Sequence, residues 1–270
     1  MNRVGFGALR LAGRVPFGNG APENFDQAIR VLRRAVELGV NHFDTAAFYR
    51  SDLHGANEMI RAALWPYAEN IVIATKLRPD RYQGGPSLGD QIKENLRELR
   101  LDCLDLVYLR VMAGSSFAED FGTLSGLRDA GVIQHLGLSA VSTAQLDEAL
   151  AIAPVIAIQN RYGIGVRRDD DMLHTASTRG IAFVPYFSIA AEGKHAGPTE
   201  ESEVVRDVAR NHGVSVAAVR IAWTLELAPN VLAIPGTGNV EHLNENVAAG
   251  ALRLSTGEMA LLGSITHASE

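Results

Sequence analysis

One local pattern recurs four times and restricts the fold more than any other feature of the chain: a helical stretch closed by glycine and followed at once by a β-branched residue. It reads Glu37-Leu38-Gly39-Val40, Asp129-Ala130-Gly131-Val132, Thr178-Arg179-Gly180-Ile181 and Asn211-His212-Gly213-Val214. Glycine is expected just past a helix because it takes the left-handed conformation with no Cβ penalty. The first three copies run directly into apolar strands. Helical stretches carry apolar residues at three- and four-residue steps, as in Ile29, Leu32 and Val36 or Ile92, Leu96 and Leu99, so one face of each is predicted to be buried.

Between the helices lie eight short apolar runs: Val4 to Gly7, His42 to Asp44, Ile71 to Thr75, Leu104 to Leu109, His135 to Leu138, Val155 to Ile158, Ala182 to Tyr186 and Val231 to Ile234. Strands alternating with helices require a parallel sheet, and runs apolar on both faces fit a sheet covered on both sides. Eight such units over roughly 250 residues predict a (β/α)8 TIM barrel, here as one domain spanning residues 1–270. A doubly wound open sheet is the structural alternative. Against it, Gly5 and Gly7 lack the third glycine and the acidic partner of a dinucleotide-binding turn. The stretches Tyr82 to Gly89 and Ala191 to Thr199 read as exposed loops on the face where barrels keep their sites, not as domain linkers.

Charge and cysteine usage remove several classes of function. The chain holds 25 Lys and Arg against 31 Asp and Glu, for a net charge of −6 with the signs interspersed. No basic stripe is available for nucleic acid and no basic amphipathic face for a membrane. The single cysteine, Cys103, excludes an internal disulfide and a cysteine-based metal cluster, and it reads as core. Met1 to Gly13 is too interrupted for a signal-peptide core, and no apolar run approaches the ~20 residues of a membrane helix. A cytoplasmic protein is expected, either a monomer or a weak homo-oligomer. Isolated histidines, His54, His135, His174, His195 and His212, show no metal-ligand spacing, although His54 follows Tyr49 on a site-facing loop where it could meet a substrate. Trp65 and Trp223 fall in helical patterns and are predicted to pack.

In a barrel, polar residues closing an apolar strand at its carboxyl end are the first candidates for chemistry. Here they are Asp44, Lys76, Arg110, Ser139, Gln159 and Tyr186. Asp44 opens Asp-Thr-Ala-Ala-Phe-Tyr49, and the third strand ends in Ala-Thr-Lys76. A buried lysine beside a phenol favours the phenolate and should lower the Tyr49 pKa, while Asp44 keeps the lysine charged and oriented; together they make a proton donor. The plainer alternative is a structural Asp44–Lys76 ion pair with Tyr49 merely packed beside it. A lyase in which Lys76 forms a Schiff base is a third possibility.

Along nearly its whole length the sequence resembles the aldo-keto reductase superfamily. The resemblance is carried by Phe-Asp44-Thr-Ala-x-x-Tyr49 followed by Asn57-Glu58, by Ala-Thr-Lys76, and by Leu-Arg-Leu-Asp-x-Leu-Asp105-Leu. Leu-Gly-Leu-Ser139, Ile-Gln159-Asn, Tyr186 and Ile-Pro235-Gly236-Thr237 through Glu245-Asn246 continue it in order. It implies carbonyl reduction by a nicotinamide nucleotide laid across the barrel mouth. Tyr186 would stack on the nicotinamide, Ser139 and Gln159 would bond its carboxamide, and Thr237 with His242 to Asn246 would meet the adenosine end. A catalytically weak, nucleotide-binding regulatory barrel is the alternative within the same resemblance; complete retention of Tyr49 and Lys76 favours the enzyme.

Three positions depart from the family pattern. Arg110 stands five residues after Asp105, where the family usually places histidine; it carries a permanent charge, donates hydrogen bonds to a carbonyl oxygen, and adds a second cation expected to depress the phenol pKa. The alternative is that it turns away and pairs with a carboxylate such as Asp52. Gly236 and His242 replace the lysine and arginine that hold the 2′-phosphate in many relatives, which leaves Thr237 and Asn239 as donors and implies NADPH use with modest discrimination against NADH. Ala140 replaces an asparagine beside Ser139. The run Tyr-Leu-Arg110-Val-Met and the His242 version of the last motif are most similar to a bacterial branch that includes pyridoxal reductases, which makes pyridoxal or another aromatic or small aldehyde the expected substrate. The short segment after Leu254 is expected to leave the site open.

Overall fold

The computed structural model describes residues 2–11, 25–79, 85–112, 117–189 and 202–265. Seven strands run in parallel: β1 (Phe6–Gly7), β2 (His42–Asp44), β3 (Val72–Leu77), β4 (Leu104–Arg110), β5 (Ile133–Ser139), β6 (Ala157–Gln159) and β7 (Ala182–Phe183). Each pairs with the next in chain order, with no reversal, which rules out the doubly wound alternative. The eighth apolar run closes the ring as two parallel bridges in place of a full strand, Val231 to Phe183 on one side and Ala233 to Val4 on the other. Gly5 N–H donates to the Ala233 carbonyl at 2.7 Å and Ala233 N–H to the Arg3 carbonyl at 2.8 Å. The molecule is a (β/α)8 barrel.

Helices α1 (Phe25–Glu37), α2 (Ala56–Leu64), α3 (Leu88–Leu99), α4 (Phe117–Asp129), α5 (Thr143–Ile152) and α6 (Asp170–Thr178) each follow the strand of the same number. Then α7 (Glu203–His212) and α8 (Val216–Glu226) precede the closing segment, and α9 (Val240–Ala248) and α10 (Thr256–Gly263) follow it. All four predicted terminators take positive φ, from 63° at Gly213 to 85° at Gly39. The residue after each donates back to the carbonyl five positions earlier, as in Val40 to Ala35 at 2.9 Å and Ile181 to Ala176 at 2.9 Å. The buried stripe of α1 is Ala28, Val31, Leu32 and Ala35, so Ile29 and Val36 border it instead of centring it.

Buried apolar residues form two regions. The larger, between strands and helices, includes Phe43, Ile73, Val107, Leu138, Ile158 and Phe121 and, as a separate cluster where α8 packs on the closing segment, Val4, Ile221 and Ala233. The smaller fills the barrel itself with Ala74, Leu106, Tyr108 and Ala157. Gly7 and Gly236 serve barrel closure: their backbones press so closely that a Cβ on either would collide with the other segment's carbonyl region. Trp223 packs as expected, whereas Trp65 is 45% exposed beneath the Arg100 guanidinium, 4.0 Å from its ring centroid. Among the described residues no helix is long and apolar enough to cross a membrane. The expected loop Ala191 to Thr199, His195 and Tyr82 to Gly84 lie outside the described residues.

Candidate active site

Register brings the candidate residues together at the carboxyl ends of the strands. Arg110 pairs in register with Ser139, and Ser139 with Gln159, so three candidates form one row across β4, β5 and β6. Tyr186 extends the row through its bridge to Arg161. On the other side of the ring, the Lys76 ammonium donates to Asp44 Oδ1 at 2.5 Å and to the Thr45 carbonyl at 3.3 Å. Gln159 Nε2 donates across the barrel to Asp44 Oδ2 at 2.7 Å, so both oxygens of that carboxylate are held. Tyr49, half-buried on the loop after β2, places its ring centroid 5.1 Å from the Lys76 ammonium.

The expected lowering of the Tyr49 pKa is reversed. Burial of the phenol pushes it above the ordinary 10.0; Lys76 and, more weakly, Arg110 pull it down without overcoming the desolvation of the phenolate. For Lys76 the balance goes the other way: burial disfavours the ammonium, but Asp44 and Tyr49 outweigh it and raise its pKa, so it stays charged. The cluster holds a protonated phenol against a charged lysine, as a proton donor requires.

Arg110 sits on the site side of β4, its guanidinium 5.8 Å from the Tyr186 ring centroid, and among the described residues it makes no ion pair with Asp52 or any other carboxylate. Ser139 is fully buried, and its hydroxyl has no hydrogen-bond partner among the described residues. A buried hydroxyl left unpaired calls for a partner from outside the described residues. At the far end, Thr237 and Asn246 are buried, whereas His242 and Glu245 are exposed and Gly236 and Asn239 half-buried. Asn239 caps α9, accepting from the Glu241 N–H at 2.6 Å and the His242 N–H at 3.2 Å, and Thr237 Oγ1 accepts from Asn239 N–H at 3.0 Å. The Asn239 amide oxygen and two helix N–H groups are thus already engaged, which leaves the Asn239 amide donors and the Thr237 hydroxyl for a ligand. His54 packs against Phe25 with the rings tilted and their centroids 4.8 Å apart, and its Nδ1 lies 3.8 Å from Glu58. Cys103 is half-buried instead of core, and burial raises its thiol pKa, which leaves it unactivated. Among the described residues no group of three or more histidines, cysteines and acids could hold a metal.

Sequence reasoning missed the polar scaffold behind the site. Thr45 Oγ1 donates to Asn57 Oδ1 at 2.8 Å, Asn57 Nδ2 donates to Asn95 Oδ1 at 3.0 Å, and Thr75 Oγ1 donates to the same Asn95 oxygen at 2.6 Å. This chain of buried groups locks the loop after β2, which carries Tyr49, to β3, which carries Lys76. Asn95 did leave a signal: it interrupts the apolar stripe of α3 between Ile92 and Leu99, and a polar residue on a buried face needs partners.

Comparison with known proteins bears on family and fold. The model of the aldo/keto reductase family matches residues 3–267. The chain is 39% identical to a pyridoxine 4-dehydrogenase of Escherichia coli, over 99% of its own length and 96% of the relative's. It is 31% identical to an uncharacterised oxidoreductase of Schizosaccharomyces pombe, over 97% and 86%. Among solved structures, a thermostable aldo-keto reductase bound to the inhibitor epalrestat superposes with a TM-score of 0.83 at 27% identity, covering 98% of this chain and 95% of that one. An aldo-keto reductase from Klebsiella pneumoniae in complex with NADPH shares the fold, with a TM-score of 0.81 at 24% identity over 96% and 89%.

Proposed function

Because the chain belongs to the aldo/keto reductase family and is an oxidoreductase of that type, we propose that it reduces an aldehyde or ketone to the alcohol with NADPH, Tyr49 protonating the carbonyl oxygen. The observation that carries this reading is the cluster at the barrel mouth, with the Lys76 ammonium 2.5 Å from Asp44 and 5.1 Å from the Tyr49 ring centroid. Bound NADPH supplies the hydride. Tyr49 supplies the proton: the charged Lys76 at its side stabilises the phenolate as it forms, and Asp44, gripped by both Lys76 and Gln159, keeps the lysine in place. Arg110 is a fixed cation from which developing negative charge on the substrate oxygen can be stabilised.

The residues present fit a nicotinamide nucleotide. Ser139 offers a buried hydroxyl with no partner among the described residues, Gln159 keeps its amide oxygen to accept from a carboxamide N–H, and the Tyr186 ring is half-buried beside them. Thr237 and Asn246 line the adenosine end, with Gly236, Asn239, His242 and Glu245 around it. With no lysine at 236 and no arginine at 242, the 2′-phosphate has weak holders, so NADPH is preferred only modestly over NADH.

Pyridoxal is the first substrate to test, given the similarity to the pyridoxine 4-dehydrogenase; other aromatic and small aldehydes follow. Loss of NADPH absorbance with pyridoxal is expected in the wild type, and Tyr49→Phe is expected to lower kcat by roughly 10²- to 10⁴-fold. Retention of full activity by Tyr49→Phe would remove the phenol from the mechanism. Since the Tyr49 pKa lies above 10.0, the reduction rate should stay level through neutral pH and fall only once the pH passes the ordinary phenol value.

A further inference from the structure

Tyr108 is fully buried inside the barrel and plays no part in the reading given above. In register it stands beside Lys76 on β3 and beside Gly137 on β5. The Lys76 ammonium lies 5.9 Å from the centroid of its ring, comparable with the 5.1 Å to the Tyr49 ring. A Cβ on Gly137 would sit 2.6 and 2.7 Å from the Tyr108 ring carbons Cδ1 and Cε1, so the glycine leaves the room that the ring fills. Glycine inside a strand commonly marks such a close approach. The Tyr108 hydroxyl has no hydrogen-bond partner among the described residues. What the side chain does for its neighbours therefore comes from the ring and not from the oxygen.

We propose that Tyr108 is a positioning residue for Lys76: its ring gives the ammonium a second π-face and fills the barrel beneath it, keeping the ammonium at Tyr49 and out of the barrel interior. The inference rests on the reading of Tyr49 as proton donor and Lys76 as its partner. The groups facing the ammonium are Asp44 on β2, the Thr45 carbonyl and Tyr49 on the loop after it, and Tyr108 on β4. Arg110 acts on the phenol from further along β4, and His42 lies deeper on β2. On β5, Gly137 and Ser139 add no charge. Removal of the Tyr108 ring admits water below the ammonium and lets it withdraw, so Tyr49 loses part of the cation that opposes its burial.

The test compares Tyr108→Phe, Tyr108→Leu and Gly137→Ala with the wild type, in kinetics and in tyrosinate absorbance. Subtracting the titration of the same protein carrying Tyr49→Phe isolates one phenol among the six in the chain. Tyr108→Phe should match the wild type. Tyr108→Leu should lower kcat by roughly 3- to 30-fold with little change in the aldehyde KM, and should move the Tyr49 transition to higher pH. Gly137→Ala displaces the ring and should move it the same way; the double variant should go no further than Tyr108→Leu alone. A purely structural role would lower the melting temperature and leave the Tyr49 transition where it is, and that result in a folded Tyr108→Leu overturns the proposal. Should Tyr108→Leu not fold, Gly137→Ala decides in its place by the same criterion. The titration needs no turnover, so a wild type inert toward aldehydes counts against the proposed function, whereas an unmoved transition counts against Tyr108.

Discussion

The two cores of this barrel are built on opposite principles. The layer between sheet and helices is mainly apolar, the bonded Thr45–Asn57–Asn95–Thr75 chain apart: Phe43, Ile73, Val107, Leu138 and Ile158 point out from their strands and meet Phe121, Leu124 and Leu146 from the helices. The neighbouring residues on the same strands point inward and are small, polar or charged, namely Asp44, Ala74, Lys76, Tyr108, Ser139 and Gln159. Because side chains alternate along a strand, one strand serves both regions at once. The outer layer carries folding free energy, and the buried polar groups it holds behind the site, Asn57, Asn95 and Thr75, are bonded to one another. The inner one sacrifices apolar contact for an ion pair, a cross-barrel hydrogen bond and a hydroxyl with no partner among the described residues.

That contrast makes the outer core the place where a substitution should hurt stability most and chemistry least. Phe121 is fully buried on α4 and stacks on Phe117 with ring centroids 6.0 Å apart, on the other side of the sheet from the Asp44–Lys76 pair. Phe121→Ala should destabilise the protein by about 3–5 kcal/mol and lower Tm by roughly 10 °C. The kcat and the pH profile of the folded fraction should stay as in the wild type. A changed pH profile in this variant would mean that the two cores are coupled and the division drawn between them is false.

How much of this division could be read from the sequence differs between the cores. Outer-core strands and their glycine terminators were legible because each depends on local chemistry: a run of apolar residues, or a left-handed residue that glycine takes without strain. Arg100 shows the limit, since it ends α3 at φ 57° with no glycine to announce it. Inside the barrel, the identities of Asp44, Lys76, Ser139 and Gln159 and the pairing of Asp44 with Lys76 were legible, but the bond from Gln159 to Asp44 was not. That Gln159 reaches Asp44, 115 positions away, depends on the barrel's diameter and on rotamers, which no local pattern encodes. The Tyr49 pKa was misjudged for a related reason: the nearby cations are visible in the residue order, whereas the desolvation that outweighs them appears only once the ring is closed around the phenol. The space that Gly137 leaves for Tyr108 is likewise a property of paired strands.

His42 sharpens the contrast from inside. It begins β2 with its ring in the barrel, neither ring nitrogen has a partner among the described residues, and burial lowers its pKa from 6.5 to about 4, with Asp44 opposing that and Lys76 reinforcing it. Folded protein therefore holds His42 neutral while the unfolded chain takes up a proton below pH 6.5. As pH falls from 6.5 toward 4, unfolding is favoured by up to about 3 kcal/mol from this residue alone. His42→Leu should flatten that part of the stability–pH curve, measured by denaturant titration at several pH values, even if its stability at pH 7 is lower. An acid limb as steep as that of the wild type would show that His42 is accessible to protons in the fold.

The smallest effect is expected at Ala140, where the inner core meets the rim. Immediately after Ser139 the chain turns with Ala140 at φ 57°, held by its N–H donating to the Gln159 carbonyl at 3.0 Å. Alanine in the left-handed region is strained by ~1–2 kcal/mol, which glycine avoids at the cost of a more flexible unfolded chain. Ala140→Gly should accordingly raise stability by no more than about 1 kcal/mol, without altering the binding of NADPH. Ala140→Asn relieves the same strain, since asparagine tolerates this conformation, and adds an amide beside Ser139 that can bond a carboxamide. It should stabilise the fold to a similar degree and tighten NADPH binding by roughly 2- to 10-fold, the net worth of one neutral hydrogen bond. If Ala140→Gly and Ala140→Asn bind NADPH equally, the added amide does not reach the cofactor, and the turn matters at this position only as backbone geometry that orients Ser139.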